Sequence, residues 1–283
     1  MANIIDGKAI SMDIKNEVKV KAEELKAKGI EPCLAVVLVG EDPASQVYVR
    51  NKKKACEYCG IKSLNYELSE DTTEEELLSL IDELNANKEC NGILVQLPLP
   101  KHIDENKVLL RIKPEKDVDG FHPYNVGLLS IGKADLKACT PAGCIELIKR
   151  SGVDITGKHC VVVGRRNIVG KPVGMLLLSE NGTVTTCHSK TKDIKAVCRE
   201  ADILVAAVGI PKFIKGDMVK DGVVVIDVGI NRMDNGKLCG DVDFDEVEKK
   251  ASYITPVPGG VGPMTIAMLM NNCIVACKKQ NNL

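Results

Sequence analysis

Short apolar segments recur along the chain, and stretches with helical periodicity separate most of them. The apolar segments that are typical of strands lie at 33–40, 61–68, 92–97, 159–164, 183–188, 202–208 and 223–228. Strands that alternate with helices form parallel sheets joined by right-handed crossovers. Aromatic residues make up only 3% of the chain and Trp is absent, so Val, Ile, Leu and Ala must fill the core. Such residues suit strands that are buried on both faces, and the pattern predicts an α/β protein.

Local signals mark where several helices begin and end. Asp42 and Pro43 are an N-cap followed by a first helical residue, and Gly60 stops the same segment. Thr73 and Glu76 have the spacing of a capping box. Together with the apolar periodicity elsewhere, these signals predict helices at 8–28, 43–59, 73–88, 141–150 and 263–283.

A loop rich in charge and glycine, at 113–140, separates two series of predicted strands. A chain of 283 residues is more naturally two domains than one. We therefore predict one α/β domain at 1–139 and a second, with a Rossmann-like parallel sheet, at 140–262. The remaining segment, 263–283, is predicted to be a single long helix.

Charge and hydropathy bear on the partners of the protein. The net charge is −1, so bulk charge gives no reason to expect nucleic acid or an anionic membrane. The N-terminal segment turns polar too soon for a signal peptide, and no apolar run approaches the roughly 20 residues of a membrane span. These features predict a cytoplasmic protein that binds neither nucleic acid nor membrane.

The chain has 12 cysteines, which a reducing cytosol would keep as thiols. Cys56 and Cys59 form a C-x-x-C motif, and Cys273 and Cys277 lie four residues apart. Neither pair is accompanied by a second pair, or by histidines, at zinc spacing. We predict buried or half-buried thiols and no bound metal.

The segment VVVGRRNIVGKPV, at 161–173, indicates a strand that runs into a glycine turn and then a helix. Gly164 allows a sharp exit from the strand, and Gly170 allows the helix to approach it closely. Backbone N–H groups and the helix dipole at such a turn favour a phosphate. Because the usual G-x-G-x-x-G pattern is absent, the turn alone supports either a cofactor site or a plain tight turn.

The end of the following strand favours NADP over NAD. Folds that bind NAD usually place Asp or Glu there, where the acid holds the ribose hydroxyls. Here the strand is followed by Ser189 and Lys190, and Arg165 and Arg166 stand on the glycine turn. Guanidinium and hydroxyl donors suit the extra phosphate of NADP. The alternative is that the two arginines are ordinary surface charges.

One face of the helix at 43–59 carries a candidate catalytic group. Ser45, Tyr48 and Lys52 share that face, and the last two are spaced i,i+4. A lysine buried against a ligand has a lowered pKa and can act as a base. The alternative is a solvated face, because Lys52 lies within a run of basic residues at 50–54.

Polar residues also stand where the first series of strands ends. Gln96 closes the apolar strand at 92–97, so its amide needs a partner there. Asp117 and Asp119 lie beside Gly120 in a loop, where the bland alternative is turn capping. A lysine, an amide and a carboxylate together suit a heterocycle rich in donors and acceptors. The glycine-rich segment at 255–265 would let a ligand approach the backbone.

Five motifs together resemble the bifunctional methylenetetrahydrofolate dehydrogenase/cyclohydrolase family, known as FolD. They are YVRNK at 48–52, VQLPLP at 95–100, KDVDGF at 116–121, VVGRRNIVGKPV at 162–173 and PVPGGVGPMT at 256–265. The motifs occur in the family's order and cover essentially the whole chain. The resemblance implies an enzyme that oxidises methylenetetrahydrofolate with NADP and hydrolyses the methenyl product to formyltetrahydrofolate.

Carried over residue by residue, the resemblance implies these site residues. The catalytic set is a lysine, the amide that tunes it, the carboxylate that anchors the pterin and a ring against the folate, which are Lys52, Gln96, Asp119 and Tyr48. Cofactor contacts are implied at Gly164, Arg165, Arg166, Ser189 and Ile230. Further substrate contacts are implied at Ser45, Leu99, Pro258, Gly259 and Gly262. The family commonly has serine where this chain has Arg166.

The resemblance also implies a homodimer, a folate-binding first domain, an NADP-binding second domain and a last helix that returns to the first domain. Three different functions stay open at this point. The chain could be a related enzyme with one of the two activities, or an oxidoreductase similar to shikimate or amino-acid dehydrogenases, since fold does not fix function. It could also be a catalytically silent NADP-binding protein.

Overall fold

The computed structural model describes residues 1–233 and 235–283, apart from the side chain of Ala44. These residues form two compact units, which we name after their sheets. The three-stranded unit consists of Met12–Cys139 and Ile266–Leu283. The six-stranded unit consists of Met1–Ser11 and Thr140–Thr265.

Strands and helices alternate along much of the chain, as the sequence predicts. The strands are β1 (Asn3–Ile4), β2 (Cys33–Val39), β3 (Lys62–Leu68), β4 (Gly92–Val95), β5 (His159–Val163), β6 (Thr183–Cys187), β7 (Ile203–Ala206), β8 (Val224–Asp227), β9 (Asn231–Arg232), β10 (Leu238–Cys239) and β11 (Tyr253–Ile254). The α-helices are α1 (Gly7–Ala27), α2 (Pro43–Cys59), α3 (Glu74–Ala86), α4 (Glu105–Arg111), α5 (Pro123–Ser130), α6 (Cys139–Arg150), α7 (Gly170–Ser179), α8 (Ile194–Arg199), α9 (Phe244–Val247) and α10 (Val261–Gln280).

The three-stranded unit is built around a parallel sheet in the order β3-β2-β4. Its central strand β2 is buried along its whole length, as its unbroken apolar sequence requires. The predicted ends of α2 are confirmed, since Asp42 accepts a hydrogen bond from the Ser45 N–H at 2.7 Å and Gly60 is left-handed at φ +71°. The capping box of Thr73 and Glu76 at the start of α3 is also confirmed.

The last helix, α10, joins the three-stranded unit from Ile266 onward, which confirms the predicted return to the first half of the chain. The Sγ of Cys56 on α2 lies 3.6 Å from the Sδ of Met270. Buried Asn272 donates two hydrogen bonds, to the carbonyl oxygens of Val118 and Lys137, both at 2.8 Å. The helix therefore supplies both apolar packing and fixed polar contacts to this unit.

Among the described residues, α10 is the helix long and apolar enough, by length and composition, to cross a membrane. The expectation that no segment approaches this length is therefore wrong. Polar residues such as Asn271 and Asn272 interrupt the run in the sequence. Of the most apolar window of this helix, 61% is buried inside the protein, as in a core helix of a soluble protein.

The six-stranded unit has a parallel sheet in the order β1-β11-β8-β7-β5-β6. From β5 onward, the chain adds β6 on one side of β5 and then β7, β8 and β11 on the other side, which is a doubly wound arrangement. The predicted Rossmann-like sheet is confirmed. The first residues of the chain differ from the prediction, because β1 pairs with β11 and so Met1–Ser11 belong to this unit.

Two further predictions need correction. The region 113–140 is not one loop, since it contains α5 and a short 3₁₀ helix at Pro114–Lys116. Helix α6 begins at Cys139, two residues before its predicted start at 141. The two-residue strands β9 and β10 pair as a small antiparallel ribbon that the sequence did not reveal.

All 12 cysteines are free thiols, and all are buried except Cys239, which is partly exposed. This confirms the prediction of reduced, buried thiols. In the described part of the chain, no group of three or more His, Cys, Asp or Glu side chains is arranged to hold a metal ion.

Candidate functional site

Lys52 differs from the basic residues around it. Its neighbours Arg50, Lys53 and Lys54 are exposed, whereas Lys52 is only 8% exposed. Helix geometry explains the difference, because Lys52 lies on the face of α2 that carries buried Ser45 and Val49. A solvated face is therefore the wrong explanation for this lysine.

The buried amine of Lys52 has a specific partner at the end of β4. Its Nζ donates a hydrogen bond to Oε1 of Gln96 at 2.9 Å. Gln96 is held by its own backbone, because its N–H continues the sheet by bonding the Val37 carbonyl at 2.8 Å. Its Nε2 donates to the Leu97 carbonyl at 2.6 Å, which leaves Oε1 facing the lysine. Burial lowers the pKa of Lys52 below its ordinary value, and the charge of Asp119 opposes that effect.

The loop that carries Asp119 lies directly on β4. Gly92 makes this possible, since a Cβ there would come within 2.6 Å of the Val118 side chain. A parallel bridge between Ile93 and Asp117 sets the register, and the chain then runs toward the carboxyl end of β4. Burial raises the pKa of Asp119 to about 6, although the nearby Lys52 favours the charged form. Lysine, amide and carboxylate thus converge, as the sequence predicts.

Asp117 shapes this loop from inside. Its Oδ1 accepts hydrogen bonds from the N–H groups of Gly120 at 3.1 Å and Phe121 at 3.3 Å. Its Oδ2 accepts from the His122 N–H at 2.8 Å and from Nδ2 of Asn125 at 2.9 Å. The turn-capping interpretation is thus right for Asp117, while the neighbouring Asp119 remains available to a ligand.

Two more contacts fix the same loop to the rest of the three-stranded unit. The buried Lys116 donates from Nζ to the carbonyl oxygens of Leu84 and Asn87 at the end of α3, at 2.8 and 2.7 Å. The Asn272 amide bonds the Val118 carbonyl from α10. A loop held at so many points keeps the Asp119 carboxylate in place before any ligand arrives.

Cys139 is a member of this cluster that sequence reasoning missed. Its thiol donates to the Val118 carbonyl at 3.3 Å and accepts a hydrogen bond from Nδ2 of Asn272 at 3.6 Å. Burial raises the pKa of Cys139 well above its ordinary value, so the thiol stays neutral beside the carboxylate. Most cysteines of this chain are buried, and nothing in the sequence around Cys139 marks it as a member of the site.

The other predicted residues of the three-stranded unit differ in exposure. Tyr48 is 43% exposed, so its ring is open to a ligand, whereas Ser45 on the same helix is buried. Leu99 is half-buried and packs against the core beside β4. Peptide bonds 97–98 and 257–258, each preceding a proline, are cis.

The glycine turn of the six-stranded unit is closed by main-chain atoms. Gly164 has φ +131°, and a Cβ there would lie 2.2 Å from the Ala207 carbonyl oxygen. A Cβ on Gly170 would lie 2.2 Å from the carbonyl oxygen of Gly164. The N-cap residue of α7, Val169, makes no side-chain cap. In the first turn, the Lys171 N–H donates to the Arg166 carbonyl at 3.2 Å and Pro172 has no N–H, so few main-chain donors remain there for a phosphate. Arg165 and Arg166 are exposed beside this turn.

Parallel pairing brings the ends of neighbouring strands to the same edge of the sheet. Strand β6 pairs with β5, so Ser189 and Lys190, both exposed, follow β6 beside the glycine turn. Strand β7 pairs with β5 on the other side. The crossovers leave β5 in opposite directions, and ligands of doubly wound sheets bind at such a point.

Ile230 and the glycine-rich segment also meet in the six-stranded unit. Ile230 follows β8 and is 51% exposed. A Cβ on Gly262 would lie 3.6 Å from its Cδ1, so the two residues are neighbours. Pro258 is exposed, and Gly259 has φ +109°, a conformation that side chains rarely adopt.

Comparison with known proteins agrees with this geometry. Residues 138–281 match the sequence model "Tetrahydrofolate dehydrogenase/cyclohydrolase, NAD(P)-binding domain", and residues 5–119 match the catalytic domain of the same family. The chain belongs to the tetrahydrofolate dehydrogenase/cyclohydrolase family. A relative from Agathobacter rectalis, named bifunctional protein FolD, is 68% identical over 99% of this chain and 100% of its own length.

Solved structures of family members have the same fold over the whole chain. The crystal structure of bifunctional FolD from Campylobacter jejuni has a TM-score of 0.97 and 54% identity, and the match covers 100% of both chains. The Trypanosoma brucei enzyme, complexed with NADP and an inhibitor, has a TM-score of 0.94 and 42% identity over 100% of this chain and 99% of that one. The family predicted from five motifs is thereby confirmed, and a function similar to shikimate dehydrogenase is set aside.

Proposed function

We propose that Lys52, Gln96 and Asp119 form the reaction centre of a bifunctional enzyme of one-carbon folate metabolism. The enzyme oxidises 5,10-methylenetetrahydrofolate to 5,10-methenyltetrahydrofolate with NADP and then hydrolyses the product to 10-formyltetrahydrofolate. The observation that carries the proposal is the buried amine of Lys52, held 2.9 Å from Gln96 with a lowered pKa. A buried amine with a fixed partner is poised for proton transfer, unlike its exposed neighbours.

The six-stranded unit fits NADP. The glycines of its turn leave room where side chains would clash, so a diphosphate can approach the main chain, and Arg165, Arg166 and Ser189 offer donors for a 2′-phosphate at the same edge. When bound, NADP supplies the acceptor for the hydride. The NADP complex of the Trypanosoma brucei relative supports this choice of cofactor. We assign Gly164 to the diphosphate turn and Ile230 to a contact farther along the dinucleotide.

In the oxidation, the chain mainly binds and orients. The hydride leaves the methylene carbon with a push from the ring nitrogen, so no protein group has to remove a proton from that carbon. The Asp119 carboxylate accepts hydrogen bonds from the amino group and ring N–H of the pterin, and the exposed Tyr48 ring covers the folate. Ser45, Leu99, Pro258, Gly259 and Gly262 remain predicted substrate contacts.

In the hydrolysis, Lys52 acts as the general base. Water adds to the methenyl carbon, and the neutral amine of Lys52 removes a proton from that water as the C–O bond forms. The C–N bond to the ring nitrogen then breaks as the added hydroxyl loses its proton and becomes the formyl C=O, and the ring nitrogen takes up a proton. One proton is released overall. Gln96 orients the amine through its Oε1, and the lowered pKa of Lys52 increases the fraction of the amine that is neutral.

The remaining proposals concern the whole protein. We propose that residues 12–139 bind folate, that residues 140–262 bind NADP, and that the protein is a cytoplasmic homodimer with no nucleic-acid or membrane partner. The net charge of −1 and the burial of α10 support the absence of those partners. Light scattering of the purified protein tests the dimer, for which a monomer would be the contrary result.

Lys52→Met tests the reaction centre, because it keeps most of the side-chain length and removes the amine. We expect the hydrolysis of methenyltetrahydrofolate to fall about 10²–10⁴-fold, the usual contribution of a positioned acid or base, while some NADP-dependent oxidation survives. Both reactions are followed by absorbance on one preparation, with folding checked by circular dichroism. Lys53→Met is the matched control, since Lys53 is exposed on the same helix.

Hydrolysis by folded Lys52→Met at near the original rate would refute the assignment of Lys52. The same two assays on the unmodified protein distinguish a bifunctional enzyme from its rivals. A chain with one activity would be a monofunctional relative, and a chain with neither would be a silent NADP-binding protein.

A further inference from the structure

Two buried carboxylates lie behind the edge of the six-stranded sheet where NADP is proposed to bind. Asp227 ends β8 and is 4% exposed, and Asp241 follows β10 and is fully buried. Neither belongs to the motifs that the sequence singled out. Burying two acids costs stability unless their oxygens are fully hydrogen-bonded, so their partners indicate what they are for.

Asp241 binds two loops at once. Its Oδ2 accepts hydrogen bonds from the N–H groups of Val208 at 2.7 Å and Gly209 at 2.9 Å. Its Oδ1 accepts from the Ile210 N–H at 3.0 Å and from Nδ2 of Asn231 at 2.9 Å. Residues 208–210 follow β7, and Asn231 comes directly after Ile230 beyond β8. One carboxylate therefore fixes the loops that leave two adjacent strands.

Asp227 orients Asp241 by binding the main chain of residues 241 and 242. Its Oδ1 accepts from the N–H groups of Gly229 and Asp241, both at 2.9 Å, and its Oδ2 accepts from the Val242 N–H at 2.9 Å. The fit is close, since a Cβ on Gly240 would lie 1.8 Å from Oδ2 of Asp227. A Cβ on Gly229 would lie 2.3 Å from Oδ1 of Asp241. Both glycines are thus required by the carboxylates.

The sheet order shows which part of the cofactor these loops face. The donors proposed for the 2′-phosphate follow β5 and β6, at one side of the sheet. The loops held by Asp241 follow β7 and β8, on the other side of β5. A dinucleotide that crosses the edge with its adenosine half over β6 has its nicotinamide half over β7 and β8.

We propose that Asp241, oriented by Asp227, is a positioning residue for the nicotinamide half of NADP. It sets the main chain at 208–210 and around Ile230 before the cofactor arrives, and it makes no contact with the adenosine half. This inference rests on the proposed binding of NADP at this edge. It assigns a role in cofactor geometry to residues outside the glycine turn.

Asp241→Asn tests the proposal, because an amide must turn an NH₂ group toward N–H donors that now meet a carboxylate oxygen. We expect the Kd of NADPH to rise at least about tenfold, since lost charge-assisted hydrogen bonds are strong. The Kd of 2′,5′-ADP, which carries only the adenosine half and its phosphate, should stay within about twofold, as should cyclohydrolase activity. Calorimetry measures both ligands on the same preparation.

Asp243→Asn is the matched control. Asp243 is a buried carboxylate two residues away, but it pairs with Lys215 at 2.8 Å and Lys212 at 3.4 Å instead of the loops. Its variant should bind NADPH as the unmodified protein does. Where Asp241→Asn does not fold, Asn231→Ala removes one donor to Oδ1 of Asp241 and should weaken NADPH, but not 2′,5′-ADP, about threefold.

Three results would overturn the inference. They are unchanged NADPH binding by folded Asp241→Asn, equal weakening of NADPH and 2′,5′-ADP, and an Asn231→Ala protein without a selective loss of NADPH. An unmodified chain that binds no NADPH would instead overturn the proposed function, and the inference with it.

Discussion

Because Lys52 donates to Gln96, a single substitution at Gln96 should change the pKa of the Lys52 amine. Gln96→Glu keeps the length of the side chain and puts a carboxylate oxygen where the amide oxygen now lies, 2.9 Å from Nζ. The neutral amide accepts a hydrogen bond from the amine in either charge state. A carboxylate favours the ammonium form and so raises the pKa of Lys52.

The size of the effect follows from the distance and the burial. Two unit charges at this distance attract by about 6 kcal/mol at an effective dielectric constant of about 20. If the cost of burying the new carboxylate offsets half of this attraction, the remainder still raises the pKa of Lys52 by about two units. The amine acts as a base only when it is neutral, so the hydrolysis rate at pH 7 should fall about 10²-fold. The rising part of the pH–rate profile should move to higher pH.

The assay is the pH dependence of methenyltetrahydrofolate hydrolysis, corrected for the uncatalysed reaction. Gln96→Met is the matched control, because it removes the hydrogen bond without adding charge and should leave the limb near its original position. An unchanged pH profile in folded Gln96→Glu would refute the reasoning, since Lys52 would then not be the group that titrates. Oxidation by Gln96→Glu should fall less than hydrolysis, because hydride transfer needs no base.

Three other outcomes are expected. The pKa of Asp119 is raised to about 6, and Asp119 must be ionised to bind the pterin, so kcat/KM for both reactions should fall as pH drops below that value. Asp119→Ala should lose both activities together, and loss of one activity alone would contradict the assignment. Replacing Arg165 and Arg166 with Ala should reduce the catalytic efficiency with NADP far more than with NAD, and equal efficiency with both cofactors in the unmodified enzyme would contradict NADP preference. Lys116→Met leaves two carbonyls at the end of α3 without their buried partner and should lower the free energy of unfolding by about 2–4 kcal/mol, measured in urea, whereas an unchanged midpoint would show that water replaces the amine.

The fold was predictable wherever a local signal decided the structure. Helix α2 begins at a cap and a proline, and β2 is a continuous apolar run that only a buried parallel strand explains. Strands β1 and β11 had no such signal, because each has two residues and they pair across most of the chain length. Their place depends on the completed sheet, which supplies the hydrogen bonds that their own sequences cannot indicate.

The site shows the same division. Spacing placed Tyr48 and Lys52 on one helix face, but a run of basic residues hides which lysine is buried. Burial is decided by the strand and loop that cover the helix, and Gly92 lets that loop approach. Cys139 and Asp241 act through neighbours that are distant in sequence, so nothing in their own surroundings pointed to them.

The division of the chain into units has a consequence for its synthesis. The chain passes from one unit to the other after residues 11, 139 and 265. On the ribosome, β1 has no partner until β11 has been made, and the three-stranded unit lacks a helix of its core until α10 has been made. Proteins whose domains are contiguous can fold one domain while the next is being made. Here neither core is complete before β11 and α10 have been made, so partly folded intermediates persist while the residues between β1 and β11 are synthesised.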